Sequence, residues 1–532
     1  MSRSEFSASL RWVPQRIAKP CRRMLSTSLL VAIYVGLVSA QMDGNLSNPI
    51  LRGDHPDPTI VRIGRTYWTA STSGDWAPVF PLYRSVGLRR WIAAGAIFPK
   101  PPGWAEGSFW APEMVVDGGR VLVYYVGRRR GGPLCVAAAT ADRPEGPYVD
   151  RGPIVCQADG SIDPAFARDE HGLPFLVWKE DGNSQHQPTT IWAQPLTSDL
   201  LHLSGEKTAL LVNEPESWEG GVIEAPYILQ RQGHFYLFYA GNACCGVQCH
   251  YAEGVARADC LLGPWTRDPE NPIIRPNGSW RCPGHGTAVQ TPAGKDLFIY
   301  HAYPAVGNVY LGRESVLDSV TWTQDGWPVV NQGRGPGTGA AGVQAGLGFR
   351  DAFRGPALDP EWKWPVGREP AVHVFGGKLT IEAPTNGGQA FIARSPLASA
   401  YTARVGVLPT GTAAGGLAII GDAKNEVGLS RRDGELELWR RDQEERHVLW
   451  TKGEAPGKVM WLRVSSAGNE QASFSFSADG KVWSPAGVSV SLKELLPWDQ
   501  GLRVGLLVDG PAGSSVSFTQ ISIAALPNQA GD

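Results

Sequence analysis

Five residues with side chains suited to acid–base chemistry lie at or next to the openings of a repeated pattern in the sequence. Carboxylates that share a confined, partly buried space repel one another, and this repulsion separates their pKa values. One carboxyl group then stays protonated while another is ionised, which is the condition for hydrolysing a glycosidic bond with inversion. The first hypothesis is therefore acid–base hydrolysis of a glycosidic bond. The five residues are Asp57, Glu113, Asp163, Glu224 and His285.

The repeat that carries these residues has a short polar opening, a glycine turn and an aromatic or aliphatic strand. Its period of about fifty to just over sixty residues suits one four-stranded blade of a β-propeller, so five copies predict five blades. Equivalent strands of a propeller begin at one end of the central channel, and we expect the five residues to meet there. The copies open at Asp57-Pro58, Ala111-Pro112, Asp163-Pro164, Ala225-Pro226 and, in a looser form, Gly286-Thr287.

Asp57 lies between two prolines, Pro56 and Pro58. A proline fixes its own φ and restricts the residue before it to extended conformations. We therefore predict an extended backbone at Asp57, which holds the carboxylate rigidly at the mouth of a strand.

Three motifs within residues 48–335 resemble those of the family 43 glycoside hydrolases, five-bladed propeller enzymes that act on arabinose- and xylose-containing glycans. The resemblance implies that Asp57 is the general base and Glu224 the general acid. It also implies that Asp163 orients the acid and tunes its pKa. The family's usual Glu-Gly-Pro at the acid is Glu-Ala-Pro here. The motifs are His55-Pro56-Asp57-Pro58, Ser161-Ile162-Asp163-Pro164 and Val222-Ile223-Glu224-Ala225-Pro226.

Four further residues are candidates for contact with substrate or metal. Arg313 and His285 are assigned by resemblance: an arginine faces the site in some relatives, and a histidine lies on the channel axis, in some members beside calcium. Calcium is thus a candidate ion, although hydrolysis requires no cofactor. Trp76 is expected in a loop that reaches the funnel, and Trp110 could stack on a pentose ring. Packing between blades is the alternative for Trp110, and a surface ion pair is the alternative for Arg313.

The stretch Trp178-Lys179-Glu180-Asp181-Gly182-Asn183 resembles one found in arabinofuranosidase-like members of the family. It favours an exo-acting, inverting enzyme that releases α-L-arabinofuranosyl residues from plant-type polysaccharide or oligosaccharide. A β-xylosidase and an endo-arabinanase are alternatives within the family. A propeller that only binds glycan is the alternative of a different class. The expected partner is in every case an arabinose- or xylose-containing glycan.

The composition supports an all-β chain with two domains. The 532 residues are more than one domain needs, and a net charge of −2 gives no electrostatic reason to bind nucleic acid or an anionic membrane. Beyond the propeller, period-two patterning predicts a β-sandwich of the jelly-roll or concanavalin-like type. It resembles the C-terminal sandwich that shapes the pocket in some family 43 enzymes. We predict a signal peptide over residues 1–40, a five-bladed propeller over 46–335, a glycine-rich linker over 336–346 and the sandwich over 347–526.

The first forty residues have the features of an export signal. Basic residues precede an apolar run from Leu25 to Val38, and the small pair Ser39-Ala40 follows. The protein is therefore expected to be secreted or periplasmic and free of the membrane after cleavage, with an uncleaved anchor as the alternative. Oligomeric state is not indicated by the sequence.

Cysteine usage agrees with export. Cys21 falls in the export segment and seven cysteines follow it. The cluster from Cys244 to His250 has no second ligand pair at metal-site spacing, which favours one or two disulfides over zinc. The odd number predicts at least one free thiol.

Overall fold

The computed structural model describes residues 46–306, 308–338, 347–409, 411–443, 445–453, 459–468 and 470–526. The predicted signal peptide (1–40), Cys21 and residues 339–346 of the predicted linker lie outside them. The described residues form one compact unit. None of their helices is long and apolar enough to cross a membrane.

Five four-stranded antiparallel sheets occupy the described chain up to residue 330, one for each copy of the sequence repeat. Blade 1 contains β1 (Thr59–Ile63), β2 (Thr66–Ala70), β4 (Val79–Ser85) and β5 (Ile92–Phe98), and the short β3 (Trp76–Ala77) lies outside its sheet. Blade 2 contains β6 (Ala105–Asp117), β7 (Arg120–Arg129), β8 (Leu134–Ala141) and β9 (Val149–Val155). Blade 3 contains β10 (Ser161–Arg168), β11 (Pro174–Glu180), β12 (Thr190–Pro195) and β13 (Thr208–Val212).

The last two blades have the same strand order. Blade 4 contains β14 (Ile223–Arg231), β15 (His234–Gly241), β16 (Ala252–Ala258) and β17 (Thr266–Arg267). Blade 5 contains β18 (Trp280–Gln290), β19 (Asp296–Pro304), β20 (Glu314–Trp322) and β21 (Pro328–Val330). Helical structure among the described residues is limited to α1 (Asn308–Leu311) and short 3₁₀ turns at Gly182–Gln185, Asn331–Gly333 and Lys493–Leu495.

The first strands of the blades form a closed ring. Along the chain, β1, β6, β10, β14 and β18 contact one another in turn, and β18 returns to β1. The segment before blade 1 completes the ring, since Leu51 pairs with Ser315 and the Asn48 amide donates to the Leu317 carbonyl at 3.1 Å. The openings of all five blades therefore face a common channel, as the repeat predicted.

Each blade opening contains a non-glycine residue in the left-handed backbone region. In blades 2 to 5 the strand register also shifts across this residue, which marks a β-bulge. Bulges turn a side chain away from its regular direction, and left-handed non-glycine residues concentrate at functional sites. The residues and their φ angles are Asp57 (52°), Ala111 (46°), Asp163 (53°), Ala225 (55°) and His285 (55°).

The prediction of an extended backbone at Asp57 is therefore wrong. The residue has φ of 52° although Pro58 follows it. Its backbone N–H donates to Nδ1 of the buried His301 at 3.1 Å. This tertiary contact outweighs the local preference that a following proline imposes.

The C-terminal part is a β-sandwich, and the whole described chain is all-β as predicted. The larger sheet contains β22 (Gly348–Asp351), β24 (Val372–Phe375), β25 (Lys378–Glu382), β27 (Ala400–Val407), β32 (Met460–Ala467), β33 (Gln471–Ser477), β34 (Ser484–Pro485), β35 (Val490–Ser491) and β37 (Ser515–Ala525). The smaller sheet contains β26 (Gly388–Arg394), β28 (Ala414–Ile420), β29 (Glu426–Arg432), β30 (Glu435–Asp442), β31 (Glu445–Gly453) and β36 (Arg503–Gly510). Alternate apolar side chains of both sheets form one core.

The sandwich packs directly on the propeller through paired strands and paired charges. The short β23 (Trp364–Pro365) pairs with β3 of the propeller. Arg503 of β36 contacts Asp54, with Nη2 to Oδ2 at 3.2 Å, and both side chains are buried. The two parts therefore meet close to the blade 1 opening.

Three disulfides are present among the described residues: Cys135–Cys156, Cys244–Cys245 and Cys249–Cys282. The choice of disulfide over zinc for the Cys244–His250 cluster is confirmed. The expected free thiol is wrong, because Cys260 is also disulfide-bonded and no described cysteine is free. An odd number of cysteines in one part of the chain therefore does not imply a free thiol.

Candidate active site

The structure brings Asp57, Asp163 and Glu224 into one electrostatically connected group at the channel mouth. The charges of Asp57 and Glu224 both act on Asp163, and His285 lies close enough to act on all three. All three acids are buried or nearly so, with Asp57 and Asp163 at 7% and 6% exposure. The left-handed backbone at the openings of blades 1, 3 and 4 thus directs three carboxyl groups to one place.

Asp57 is held as a carboxylate. Its Oδ1 accepts a hydrogen bond from Arg313 Nη1 at 3.0 Å and lies 3.4 Å from His285 Nδ1. Burial alone would raise the pKa of Asp57, but the Arg313 guanidinium, with His285 and His301, holds it well below its usual range. A carboxylate that stays ionised in this way is suited to accept a proton from water.

Asp163 and Glu224 form a coupled pair. The backbone N–H of Ala225, next to the acid, donates to Asp163 Oδ2 at 2.9 Å. Burial, reinforced by the charge of Glu224, raises the pKa of Asp163 to about 6. Burial would also raise the pKa of Glu224, yet the ammonium group of Lys179 lowers it below its ordinary value. At mildly acidic pH the pair therefore holds one proton, and the higher pKa places it mainly on Asp163.

Two donors hold the Glu224 carboxylate. Lys179 Nζ lies 3.0 Å from Oε2, and the Tyr251 hydroxyl donates to Oε1 at 2.9 Å. The Tyr251 ring stacks on His301 with centroids 5.7 Å apart and planes at 4°. Because His301 contacts Asp57, this stack links the two ends of the site.

Of the two remaining blade-opening residues, His285 joins the three acids, whereas Glu113 is held by Thr59 of blade 1. Glu113 accepts a hydrogen bond from the Thr59 hydroxyl at 2.9 Å, and burial raises the pKa of Glu113 to about 8, so it is neutral at pH 7. His285 donates its backbone N–H to Glu253 at 2.9 Å and presents its ring to Asp57. In the described part of the chain, no group of three or more His, Cys, Asp or Glu side chains could hold a metal ion. A calcium site at His285 stays a prediction.

Trp76 is not in a loop that reaches the funnel, which corrects the sequence interpretation. It belongs to β3, is 3% exposed and packs against Phe391 of the sandwich with ring centroids 6.1 Å apart. The guanidinium of Arg503 also lies over the ring, 4.4 Å from its centroid. The sequence could not show that a second domain covers this side of blade 1.

Trp110 and Arg313 lie where the propeller site meets a segment of the sandwich. The Trp110 ring meets the ring of Trp498 edge to face at 6.0 Å, and Trp498 is 63% exposed. Arg313 Nη2 donates to the backbone carbonyl of Asp499 at 3.0 Å while its Nη1 holds Asp57. The sandwich therefore supplies an aromatic side chain and a backbone anchor beside the acids. Arg313 is buried, so the surface ion pair is excluded.

Sequence reasoning missed Tyr251, His301 and Trp498, and gave Lys179 no role beyond its motif. None of the four lies at a blade opening, where the repeat drew attention. One signal was available: Lys179 directly follows the apolar run Phe175–Trp178 in β11, and a lysine continuing a buried strand needs partners of opposite charge. Trp498 carried no comparable signal.

Comparison with known proteins agrees with this geometry. The family model for glycosyl hydrolases family 43 matches residues 46–328. A xylan 1,3-beta-xylosidase from Vibrio sp is 28% identical over 328 residues, which cover 56% of this chain and 59% of the relative, so the chain spans less than two thirds of that relative's length. An extracellular exo-alpha-(1->5)-L-arabinofuranosidase from Cellvibrio japonicus is 27% identical over 52% of this chain and 87% of the relative.

The solved structures show the same fold. The xylan beta-1,4-xylosidase from Bacillus halodurans C-125 superposes with a TM-score of 0.75 and 21% identity, covering 90% of this chain and all of that one. At this identity the likeness is one of fold, and it extends over both the propeller and the sandwich. Since the family model covers more than half of the sequence and the three motif acids meet at one channel mouth, the chain belongs to glycosyl hydrolases family 43.

Proposed function

We propose that this protein is an exo-acting, inverting glycoside hydrolase that releases α-L-arabinofuranosyl residues from plant-type glycans. Asp57 is the general base, Glu224 the general acid, and Asp163 the residue that orients the acid and tunes its pKa. The observation that carries the proposal is that the surroundings shift the pKa values of the carboxyl groups in opposite directions. Arg313 keeps Asp57 ionised, while burial keeps a proton on the Asp163–Glu224 pair at mildly acidic pH.

In the reaction, Glu224 transfers the proton of the Asp163–Glu224 pair to the glycosidic oxygen as the bond from that oxygen to the anomeric carbon breaks. Asp57 accepts a proton from a water molecule on the opposite face of the sugar, and the oxygen of this water bonds to the anomeric carbon. The product has the inverted configuration. Asp57 then releases its proton and the Asp163–Glu224 pair takes one up.

The sandwich favours the exo mode. Trp498 and the Asp499 carbonyl border the site on one side. The loop that contains Cys244–Cys245 adjoins this border, since its Gly246 donates its N–H to the Tyr303 hydroxyl at 3.2 Å and approaches the Trp498 carbonyl. An endo-arabinanase needs a cleft that is open at both ends, whereas these walls suit the end of a chain.

The choice of arabinose over xylose depends on the stretch from Trp178 to Asn183, which places Lys179 next to Glu224 and Asp181 next to Lys179. The relatives include proteins named for either sugar, so β-xylosidase activity is the second candidate. Either activity would be exo-acting and would use the same three acids.

Export to an oxidising compartment fits the disulfides. Three disulfides among the described residues are typical of secreted or periplasmic proteins and unusual in a reducing cytosol. The Cellvibrio relative is named extracellular. We therefore keep the proposals of a signal peptide over residues 1–40 and of a secreted or periplasmic location.

The test is a substrate screen with purified protein. We expect hydrolysis of an aryl α-L-arabinofuranoside at a higher kcat/KM than of the matching aryl β-D-xyloside, with release of single sugars from arabinan or arabinoxylan. Glu224→Gln is the inactive control, and repetition with a chelator tests calcium. A higher kcat/KM on the xyloside would select the second candidate. Absence of turnover on all substrates, with binding retained, would select the glycan-binding alternative.

A further inference from the structure

Lys179 is a buried cation next to the proposed general acid. Its Nζ lies 3.0 Å from Glu224 Oε2 and 2.8 Å from Asp181 Oδ1, and its side chain is 1% exposed. A charge withdrawn from water to this extent is costly unless it is paired. The lysine therefore depends on both carboxylates, and Glu224 in turn has a fixed positive charge at hydrogen-bond distance.

This arrangement is unusual for a group that must donate a proton. Both oxygens of Glu224 accept hydrogen bonds, one from Lys179 and one from Tyr251, and this favours the ionised carboxylate. The other charged groups facing Glu224 are Asp163, which opposes ionisation, and His285. A lysine here weakens the hold of Glu224 on its proton and thereby makes it a stronger acid.

We propose that Lys179 is a positioning residue for the general acid: its ammonium group fixes the Glu224 carboxyl and stabilises the negative charge that forms there as the proton leaves. The inference rests on the proposed function. In the step concerned, the proton moves from Glu224 to the glycosidic oxygen, and the electron pair of the breaking bond stays on that oxygen. Lys179 keeps its own proton throughout and is not consumed.

The benefit of a stronger acid depends on the leaving group. A sugar hydroxyl is a poor leaving group and needs nearly complete protonation, whereas a nitrophenolate leaves with little help. Asp181 limits the effect because it shares the same ammonium group. Removing Asp181 should therefore strengthen the Lys179–Glu224 contact, and removing Lys179 should abolish the stabilisation.

The experiment compares Lys179→Met with the charge-preserving Lys179→Arg on two substrates of the same sugar, a 4-nitrophenyl glycoside and an oligosaccharide. For Lys179→Met we expect kcat/KM on the oligosaccharide to fall about tenfold or more, because one pKa unit corresponds to a tenfold change. On the nitrophenyl substrate the fall should be much smaller. The apparent pKa of the alkaline limb in the pH profile of kcat/KM should rise by about one to three units, since loss of a nearby opposite charge raises a carboxyl pKa by that much. Lys179→Arg should recover most of both effects.

Equal losses on both substrates with an unmoved alkaline limb would overturn the inference, since a purely structural role predicts that result. If circular dichroism shows that Lys179→Met does not fold, Asp181→Asn provides the test. The alkaline limb of its pH profile should move to lower pH, and an unmoved limb contradicts the inference. Failure of the proposed function looks different. There the wild-type protein hydrolyses neither substrate, or Glu224→Gln keeps full activity.

Discussion

Two buried carboxylates that are three residues apart in the sequence, Asp54 and Asp57, belong to different charge clusters with different roles. Asp54 and Asp57 are both 7% exposed. Asp54 pairs with Arg503 of the sandwich, in a cluster that also includes Lys363. Asp57 pairs with Arg313 and faces the other two acids. Burial and an ion pair therefore do not distinguish a structural carboxylate from a reactive one.

The difference lies in what the remaining neighbours do. Around Asp57, Glu224 and Asp163 the carboxyl groups act on one another and their pKa values are moved in opposite directions. Around Asp54 the ion-pair partner is Arg503, and the two ends of the cluster lie in different parts of the chain. Burial together with Arg503 lowers the pKa of Lys363 to about 7, and burial together with the Asp54 charge raises the pKa of Asp499 to about 7. The first arrangement prepares proton transfer, whereas the second joins two parts of the protein.

The largest expected effect separates the two clusters by activity. Asp57→Asn keeps the shape of the side chain but removes the base, so kcat should fall on the order of 10²–10⁴-fold. The chain should still fold, although Arg313 loses a counter-ion and the melting temperature should fall. Circular dichroism and a thermal melt would check that the variant is folded at the assay temperature. Activity within a few-fold of wild type would place Asp57 in the structural class with Asp54.

The matching change in the other cluster should act on stability. Asp54→Asn leaves the buried Arg503 without its counter-ion, and breaking such a pair costs about 3–5 kcal/mol of unfolding free energy. A denaturant titration measures this loss. The double variant Asp54→Asn/Arg503→Met should recover part of it, because no unpaired charge then remains. A titration midpoint equal to wild type for the single variant would show that the contact contributes little.

A smaller effect is expected where the sandwich borders the site. Trp498→Ala removes the exposed ring that meets Trp110, and the KM for an oligosaccharide should rise by up to roughly tenfold, as for the loss of 0.5–1.5 kcal/mol of aromatic contact. Trp483→Ala is the matched control, since Trp483 packs on Arg463 within the sandwich. Equal changes in both variants would contradict a substrate contact at Trp498.

The same contrast shows what the sequence could predict. Asp57, Asp163 and Glu224 are recognisable because each lies in a proline-containing motif at a repeated strand opening, and the repeat implies their convergence. The five blades and the sandwich follow from periodicity for the same reason. These signals are local or repeated, and a single sequence displays them directly.

Contacts between the two parts of the chain left no such signal. Trp76 was expected near the funnel, but β23 and Phe391 cover it, and Trp498 reaches the site from almost four hundred residues beyond Trp110. The partners of Glu224 also depend on tertiary packing, since Tyr251 and Lys179 belong to different blades. Only folding brings such residues together.

The stereochemistry of the first product tests the central claim most directly. Proton NMR of an aryl α-L-arabinofuranoside during hydrolysis should show the β-anomer of arabinose first, with the α-anomer growing only as the sugar mutarotates. This outcome follows if Asp57 activates water on the face opposite Glu224. Initial appearance of the α-anomer would require a covalent glycosyl-enzyme intermediate and would contradict the roles assigned to these two acids.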